Sequence, residues 1–232
     1  MTRWLPIVAV ALLSSAGTAL AVKALDQRQD TRAYLLDHPE VLQEAMEKLR
    51  LKQAAAQIAP LRRDLETPFA QGFIGAKDAD VTVVQFFDYA CGYCRASLGD
   101  LQRLVREDPK VRIVFRELPI LSPGSEVAAR ASLAAAEQGR YPAFHMAMYA
   151  ASPPSPASVA KVVQSAGLDA ARAETAMRTP DKDRELHRNI ELARNLGFTG
   201  TPSWVIGDEA MSGAIGYDAL KEAVAKARAN RS

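Results

Sequence analysis

The chain of 232 residues has little of what would mark several functional classes. Its 29 Lys and Arg residues nearly balance 27 Asp and Glu residues, so no excess of positive charge indicates a nucleic-acid partner. Aromatic residues make up 6% of the sequence, which argues against a base-stacking surface. Two cysteines are too few for a disulfide scaffold or an all-cysteine zinc site. The remaining composition is globular, and the length suits one large domain or two modest ones.

The N-terminus has the pattern of an export signal. One cation, Arg3, precedes an uncharged stretch over residues 5–22, which contains the small-residue site Ala-Leu-Ala at 19–21. This pattern predicts a secretory signal peptide over residues 1–21. An uncleaved membrane anchor is the alternative, because about 20 apolar residues can cross a bilayer. Under both interpretations the rest of the chain is exported.

Residues 22–70 are predicted to form an N-terminal helical arm. The segment 26–66 is rich in helix-favouring residues, and Pro39 is placed to start its main helix. Apolar residues recur there at helical spacing: Leu42, Ala45, Met46, Leu49 and Ala56. This stripe either folds back on its own domain or mediates self-association into a homo-oligomer, and both remain open. Pro60 and Pro68 are predicted to frame a hinge or linker.

Residues 71–232 alternate between strand and helix patterns. Two β-branched and aromatic runs, 81–87 and 111–115, are predicted to be buried strands, and an amphipathic helix between them ends before Asp108. This order predicts a βαβ unit with parallel strands and therefore an α/β fold. The remaining predicted elements are a short edge strand at 73–74, a mostly helical stretch over 122–196, a third strand at 203–206, a short strand near 211–214 and a final helix over 217–229.

Both cysteines lie in the motif Cys91-Gly92-Tyr93-Cys94, between the first long strand and its helix. A helix N-terminus has unpaired backbone N–H groups and a positive dipole end, which favour a thiolate at Cys91. The thiolate is the nucleophile of disulfide exchange, and Cys94 lies one turn later, close enough to form a disulfide with it. We therefore interpret the pair as redox-active.

Two other roles for the cysteine pair remain open. A structural disulfide of such short span would constrain few residues. A metal site would combine the two thiolates with His145 or His187, and Cu(I) is a soft ion that suits thiolates. We assign no metal ligand, because His145 fits a packed helix position better than a ligand position. We expect no cofactor either, because no phosphate-binding pattern is present.

Four blocks of the sequence carry a resemblance to a known family: residues 83–94, 114–120, 144–145 and 197–203. Together they resemble the DsbA-type periplasmic thiol:disulfide oxidoreductases of the thioredoxin-like superfamily. The resemblance implies an α/β thioredoxin fold over residues 71–232, with a helical subdomain inserted at about 122–196 and the helical arm in front. The arm, with its block at 34–42, resembles the ScsC-like subgroup, some members of which oligomerise through this segment.

The resemblance also implies a function. The protein would exchange the Cys91–Cys94 disulfide with cysteines of exported proteins in the periplasm, with Cys91 attacking, Cys94 resolving, and Gly92 and Tyr93 tuning the reduction potential. The leading hypothesis is an oxidase in disulfide formation. The alternatives are an oligomeric isomerase or reductase and a Cu(I)-binding copper-tolerance protein. A membrane redox partner would reoxidise or reduce the pair, and no nucleic acid is involved.

Thr201 and Pro202 complete the predicted site. The resemblance implies a cis bond between them that faces the cysteines and leaves the Thr201 backbone free to pair with an extended substrate. In many relatives the position of Gln85 holds an acid that moves protons to and from the buried cysteine. Gln85 cannot ionise, so this role is vacant or passes to water or to Asp88, whose other predicted role is to cap the next helix. We therefore expect slower or less pH-dependent resolution through Cys94.

Overall fold

The computed structural model describes residues 31–151 and 153–230. The predicted signal peptide or anchor, residues 1–21, lies outside the described residues, as does the first part of the arm. Among the described residues, no helix is both long enough and apolar enough to cross a membrane. The chain divides into two compact units, with the division between Arg50 and Leu51.

The predicted start of the main helix of the arm at Pro39 is confirmed, and a shorter helix precedes it. Helix α1 covers residues 31–37, and α2 covers Glu40–Ile58. The interruption falls at His38 and Pro39, because a proline disfavours helical geometry in the residue before it. The apolar stripe of α2 is exposed at Leu42, Met46 and Leu49, of which Met46 is 71% exposed. The buried residues of α2 lie nearer its end, at Ala54 and Ile58.

A five-stranded sheet organises the second unit. Its strands are β1 (Phe73–Gly75), β2 (Val81–Phe87), β3 (Val111–Glu117), β4 (Ser203–Ile206) and β5 (Glu209–Ser212), in the spatial order β1-β3-β2-β4-β5. Strands β2 and β3 are parallel, with Val83 opposite Ile113, and the other neighbouring pairs are antiparallel. The predicted βαβ unit and edge strand are thus confirmed. Strand β5 begins two residues earlier than predicted, because Gly207 and Asp208 alone turn the chain.

Helices cover both faces of the sheet. They are α3 (Arg62–Glu66), α4 (Gly92–Glu107), α5 (Pro123–Glu137), α6 (Tyr141–Ala150), α7 (Pro156–Ser165), α8 (Ala170–Met177), α9 (Pro180–Asn195) and α10 (Gly216–Ala229). Helices α5 to α9 form the predicted helical stretch between β3 and β4. Helix α5 begins after Ser122 at its N-cap, and helix α7 begins after Ser155. In both helices a proline follows in the first turn, where a backbone N–H would have no intrahelical partner.

The alternation of side chains along β2 separates two hydrophobic clusters. Val83 and Phe87 belong to a cluster that also contains residues of α4, α5, α6 and α10, including both cysteines. Val84 and Phe86 point to the other face, where they pack with residues of α2, α3 and α9. Each fully buried side chain of this size contributes about 2 kcal/mol to folding. Both cysteines therefore belong to a well-packed hydrophobic core.

The segment between Pro60 and Pro68, which was predicted to be a hinge or linker, is instead folded onto the sheet. Ala59–Leu61 is one turn of 3₁₀ helix that leads directly into α3. Leu65 is fully buried in the cluster behind β2. The two prolines therefore bracket a short, packed helical segment rather than a flexible connection.

A buried arginine holds this segment in place. Arg116 on β3 donates hydrogen bonds to the backbone oxygens of Asp64, Leu65 and Thr67. It also forms an ion pair with Glu185 of α9, with 2.6 Å between Nη1 and Oε1. The backbone carbonyls at the end of α3, which have no partner within the helix, thus accept hydrogen bonds from the buried guanidinium group. One residue connects β3, α3 and α9.

Candidate active site

The two cysteines lie at the start of α4, just after the carboxyl end of β2. Cys91 is the N-cap residue of α4, and its Sγ accepts a hydrogen bond from the Cys94 N–H at 3.3 Å. Both are free thiols, with Cys91 6% exposed and Cys94 1% exposed. The N–H groups of the first turn favour a negative charge on the Cys91 sulfur. Cys91 is thus the more accessible of the two sulfurs and the one placed to become a thiolate.

Cys94 has the opposite electrostatic environment. Burial raises the pKa of its thiol far above the usual range, and hydrogen bonds with the Asp88 backbone and Thr201 oppose this only in part. A thiol in this position holds its proton at neutral pH. Cys94 is therefore the buried, protonated sulfur of the pair, and Cys91 is the more accessible one.

The Thr201–Pro202 loop lies against Cys91. The peptide bond between these two residues is cis, as the resemblance implied. The Cys91 thiol donates a hydrogen bond to the Thr201 backbone oxygen at 3.2 Å. The structure thus brings together residues that are 110 positions apart in the sequence. Their roles in catalysis and substrate binding remain predictions.

An apolar rim of Tyr93, Ile120 and Leu121 lies beside the loop that leads to the cysteines, where the Ile120 and Leu121 N–H groups donate to Asp88. Tyr93, inside the motif, is 70% exposed, while Ile120 and Leu121 in the loop after β3 are 47% and 53% exposed. Gly92 is also exposed and leaves open space where a side chain would be. Exposed apolar side chains of this size near a reactive group are typical of a surface that binds a partner. Ile120 and Leu121 were not predicted as part of the site, because an apolar pair after a strand is also consistent with core packing.

Gln85 lies inside the sheet, on the face that carries the cysteines. It pairs with Phe115 and Trp204 on the neighbouring strands and is 1% exposed. Within the described chain, its Nε2 atom has no hydrogen-bond partner. A glutamine side chain cannot give up or take up a proton as a carboxylic acid does. That no residue at this position moves protons to and from Cys94 stays a prediction.

Asp88 does not cap α4, because Cys91 occupies the N-cap position. The Asp88 side chain instead accepts hydrogen bonds from three backbone N–H groups, one in its own loop and two in the loop after β3. The prediction of a helix cap is therefore wrong. Both carboxylate oxygens are occupied by fixed donors, so Asp88 is poorly placed to carry protons to Cys94.

A cluster of buried polar side chains lies beneath the helical insertion. It was not predicted from the sequence. Glu117 at the end of β3 accepts hydrogen bonds from Ser132 at 2.6 Å and from Tyr141 at 3.5 Å. Burial raises the pKa of Glu117 to about 7. Tyr89 and His145 share a hydrogen bond of 3.0 Å close by. A glutamate that ends a strand gives no sequence signal of burial, because strand ends are usually solvated.

His145 was predicted to be a packed helix residue, and this is confirmed. The side chain is 1% exposed and contacts the rings of Phe87, Phe115 and Tyr141. Burial lowers the pKa of His145 to about 3, so the imidazole is neutral at physiological pH. His145 therefore contributes packing and one hydrogen bond to the core.

Replacing Glu117 by glutamine is expected to flatten the pH dependence of stability. With a pKa of about 7 in the folded protein against 4.5 as the reference, Glu117 keeps a proton that the unfolded chain releases. Its contribution is therefore full below about pH 4.5 and is lost as the pH rises through 7, a change of roughly 3 kcal/mol. Urea unfolding of Glu117→Gln near pH 5 and near pH 8 measures this. Exposed Glu126→Gln is the control, and equal pH slopes for Glu117→Gln and wild type would contradict the assignment.

The described residues contain no third metal ligand beside the cysteines. Across 31–151 and 153–230, no group of three or more His, Cys, Asp or Glu side chains is arranged to hold a metal ion. His187 is exposed on α9. The two cysteine sulfurs are the only thiols in this part of the chain.

Comparison with known proteins agrees with this geometry. The family model described as the DSBA-like thioredoxin domain matches residues 82–225, and that of the copper resistance protein ScsC N-terminal domain matches residues 32–56. A thioredoxin-like oxidoreductase from Silicibacter pomeroyi DSS-3 is 42% identical, with a TM-score of 0.68 over 71% of this chain and 95% of that one. The catalytic domain of Proteus mirabilis ScsC is 30% identical, with a TM-score of 0.68 over 75% of this chain and 98% of that one.

A curated relative is much longer than this chain. The Na(+)/H(+) antiporter NhaA 3 of Salinispora tropica is 28% identical over 194 residues, which cover 76% of this chain but 30% of that protein. The chain thus spans less than a third of that relative's length. The α/β thioredoxin fold with inserted helices is confirmed by the structural matches. Since the first family model covers more than half of the sequence and includes the cysteine motif, this chain belongs to the family of DSBA-like thioredoxin domains.

Proposed function

We propose that this chain is an exported thiol:disulfide oxidoreductase that acts mainly as an oxidase of protein cysteines. The observation that carries the proposal is the Cys91 sulfur at the N-cap of α4, where it accepts the Cys94 N–H. These contacts stabilise a thiolate and hence the reduced form of the pair. A cysteine pair whose reduced form is stabilised is an oxidant, because it gains free energy by accepting electrons.

The reaction begins from the Cys91–Cys94 disulfide. A substrate thiolate attacks the Cys91 sulfur, the bond between the two enzyme sulfurs breaks, and a mixed disulfide forms. Cys94 leaves as a thiolate and takes up a proton, because burial raises its pKa. A second substrate thiolate then attacks the substrate sulfur of the mixed disulfide and releases Cys91. Two substrate thiols are oxidised to a disulfide, and the enzyme disulfide is reduced to the dithiol.

The surroundings of Cys91 suit an unfolded protein as substrate. The Thr201 backbone lies beside the reactive sulfur and can pair with an extended segment. The apolar rim of Tyr93, Ile120 and Leu121 offers contact to apolar side chains that an unfolded chain exposes. A membrane redox partner would then reoxidise the pair, and the sequence of residues 1–21 would direct the chain to the periplasm.

The test is disulfide transfer to a reduced, unfolded protein with several cysteines. The oxidised enzyme should form disulfides in that substrate stoichiometrically, with the dithiol enzyme as the second product. Rearrangement of scrambled disulfides without net oxidation would indicate the isomerase instead. Tight, stoichiometric Cu(I) binding without disulfide exchange would favour the copper-binding alternative and overturn the proposal.

The arm supports a second candidate, an oligomeric isomerase or reductase. Leu42, Met46 and Leu49 leave an apolar stripe exposed on α2, within the segment that matches the ScsC N-terminal domain. Several copies joined through such stripes would present several cysteine pairs to one misfolded client.

Met46→Glu is expected to weaken self-association by at least about tenfold, since it places a charge in an apolar contact. Sedimentation over a concentration series measures the effect. Lys48→Gln is the control, because it changes the net charge by the same amount at an exposed ion pair with Glu44. A wild-type protein that is monomeric at all concentrations would exclude the oligomeric candidate.

A further inference from the structure

Asp88 is a buried carboxylate at the turn between β2 and the cysteine motif, and it is 2% exposed. Its Oδ1 accepts the Ala90 N–H at 2.7 Å, and its Oδ2 accepts the N–H groups of Ile120 and Leu121 at 2.8 and 2.9 Å. Three backbone N–H groups therefore donate to this one side chain, which accepts them at both of its oxygens. The side chain thus fixes the loop before Cys91 to the loop that carries the apolar rim.

The backbone of the same residue makes further connections. The Asp88 carbonyl oxygen accepts the Cys91 N–H at 3.0 Å and the Tyr149 hydroxyl at 3.1 Å. Tyr149 belongs to α6 in the helical insertion and is itself buried. Asp88 is therefore the residue where the cysteine loop, the loop after β3 and the helical insertion are joined.

The charge of Asp88 has no cationic partner among the described residues. None of the ion pairs in residues 31–151 and 153–230 includes it, and its hydrogen-bond donors are neutral backbone groups. A negative charge in the core three residues before Cys91 disfavours a second negative charge on that sulfur. This repulsion acts against the helix N-terminus, which favours the thiolate.

We propose that Asp88 is a positioning residue of the exchange reaction. Its side chain holds the loop before Cys91 to the loop that carries Ile120 and Leu121. Its negative charge makes the cysteine pair a weaker oxidant than the same pair would be without that charge. The inference rests on the proposed exchange function. In that function, loss of the Asp88 charge stabilises the reduced form with its Cys91 thiolate.

The test is equilibration of the full chain with glutathione. Two glutathione thiols are oxidised to glutathione disulfide as the Cys91–Cys94 disulfide accepts two electrons, and the protons go to the cysteine sulfurs or to solvent. Asp88→Asn removes the charge at nearly constant shape. We expect it to shift the equilibrium constant towards the dithiol about tenfold, equivalent to about 30 mV.

Asp208→Asn is the matched control. It removes a carboxylate charge from the turn after β4. Ile206 at the end of β4 pairs with Val83 near the start of β2, so this turn lies at the opposite end of the sheet from Asp88. The control should stay within about twofold of wild type, since the repulsion weakens with distance. An unchanged or more reducing equilibrium in a folded Asp88→Asn variant would overturn the inference.

Asp88→Ser guards against a variant that fails to fold. Serine keeps a short acceptor for the Ala90 N–H but loses the charge, so it should shift the equilibrium in the same direction. If neither variant folds while Asp208→Asn does, Asp88 serves folding and the redox role is rejected. If wild type itself shows no titratable couple, the proposed function fails first, which distinguishes the two failures.

Discussion

Replacing Cys91 by serine is expected to reduce disulfide exchange by at least about a thousandfold, to the uncatalysed background. A serine hydroxyl is not ionised near neutral pH and cannot form a disulfide, so neither the nucleophile nor the mixed disulfide remains. Fold stability should change little, because serine is of similar size and can still accept the Cys94 N–H at the N-cap. The rate of disulfide formation in a reduced protein substrate measures the effect.

Replacing Cys94 by serine should have a different result. The Cys91 thiolate can still attack a disulfide of an oxidised protein substrate, which forms a mixed disulfide and releases one substrate thiolate. No second enzyme thiol is present to resolve this species, so the covalent complex with substrate accumulates. Non-reducing gels and mass spectrometry detect this species. Equal behaviour of the two serine variants, with no trapped complex in either, would contradict the division of roles between the more accessible Cys91 and the buried Cys94.

Replacing Arg116 by alanine is expected to destabilise the fold by about 4 kcal/mol. The change removes the donors for the carbonyls of Asp64, Leu65 and Thr67 and leaves the buried Glu185 without its cation. We also expect faster proteolysis around α3, since this segment loses the contacts that hold it to the sheet. Denaturant unfolding and limited proteolysis measure the two effects.

Arg188→Ala provides the control for this prediction. Arg188 pairs with the Asp64 side chain, but both partners are about half exposed, so the expected cost is below about 1 kcal/mol. If Arg116→Ala were as mild as Arg188→Ala, the segment between Pro60 and Pro68 would be held by apolar packing alone. The buried arginine would then not be the reason why the predicted hinge is absent.

Much of the fold follows from local sequence patterns. The strand at Val81–Phe87 is a continuous β-branched and aromatic run, and the helix after it has a clear apolar face, so the βαβ unit was predictable. Pro39 also marked the start of the main helix of the arm, which begins at Glu40. The Pro60–Pro68 segment was not predictable, because its packing depends on Arg116, which is about 50 positions away in the sequence.

The residues of the site were likewise predictable only in part. Cys91 and Cys94 are adjacent in sequence, and a physical reason links their spacing to redox chemistry. By contrast, the contact between Cys91 and Thr201 joins positions that only a resemblance to known proteins could connect in advance. Asp88 and Glu117 were misjudged or missed, since their importance lies in donors supplied by distant backbone and side chains. Long-range polar contacts of this kind leave no periodic signal.

The reduction potential of the Cys91–Cys94 pair tests the central claim most directly. Equilibration of the wild-type protein with glutathione, followed by quantification of the dithiol and disulfide forms, gives this value. The Cys91 sulfur at the N-cap of α4 stabilises the reduced form, so we predict an oxidising couple, well above about −200 mV. A strongly reducing couple would contradict the oxidase, and the absence of any titratable couple would contradict disulfide exchange itself.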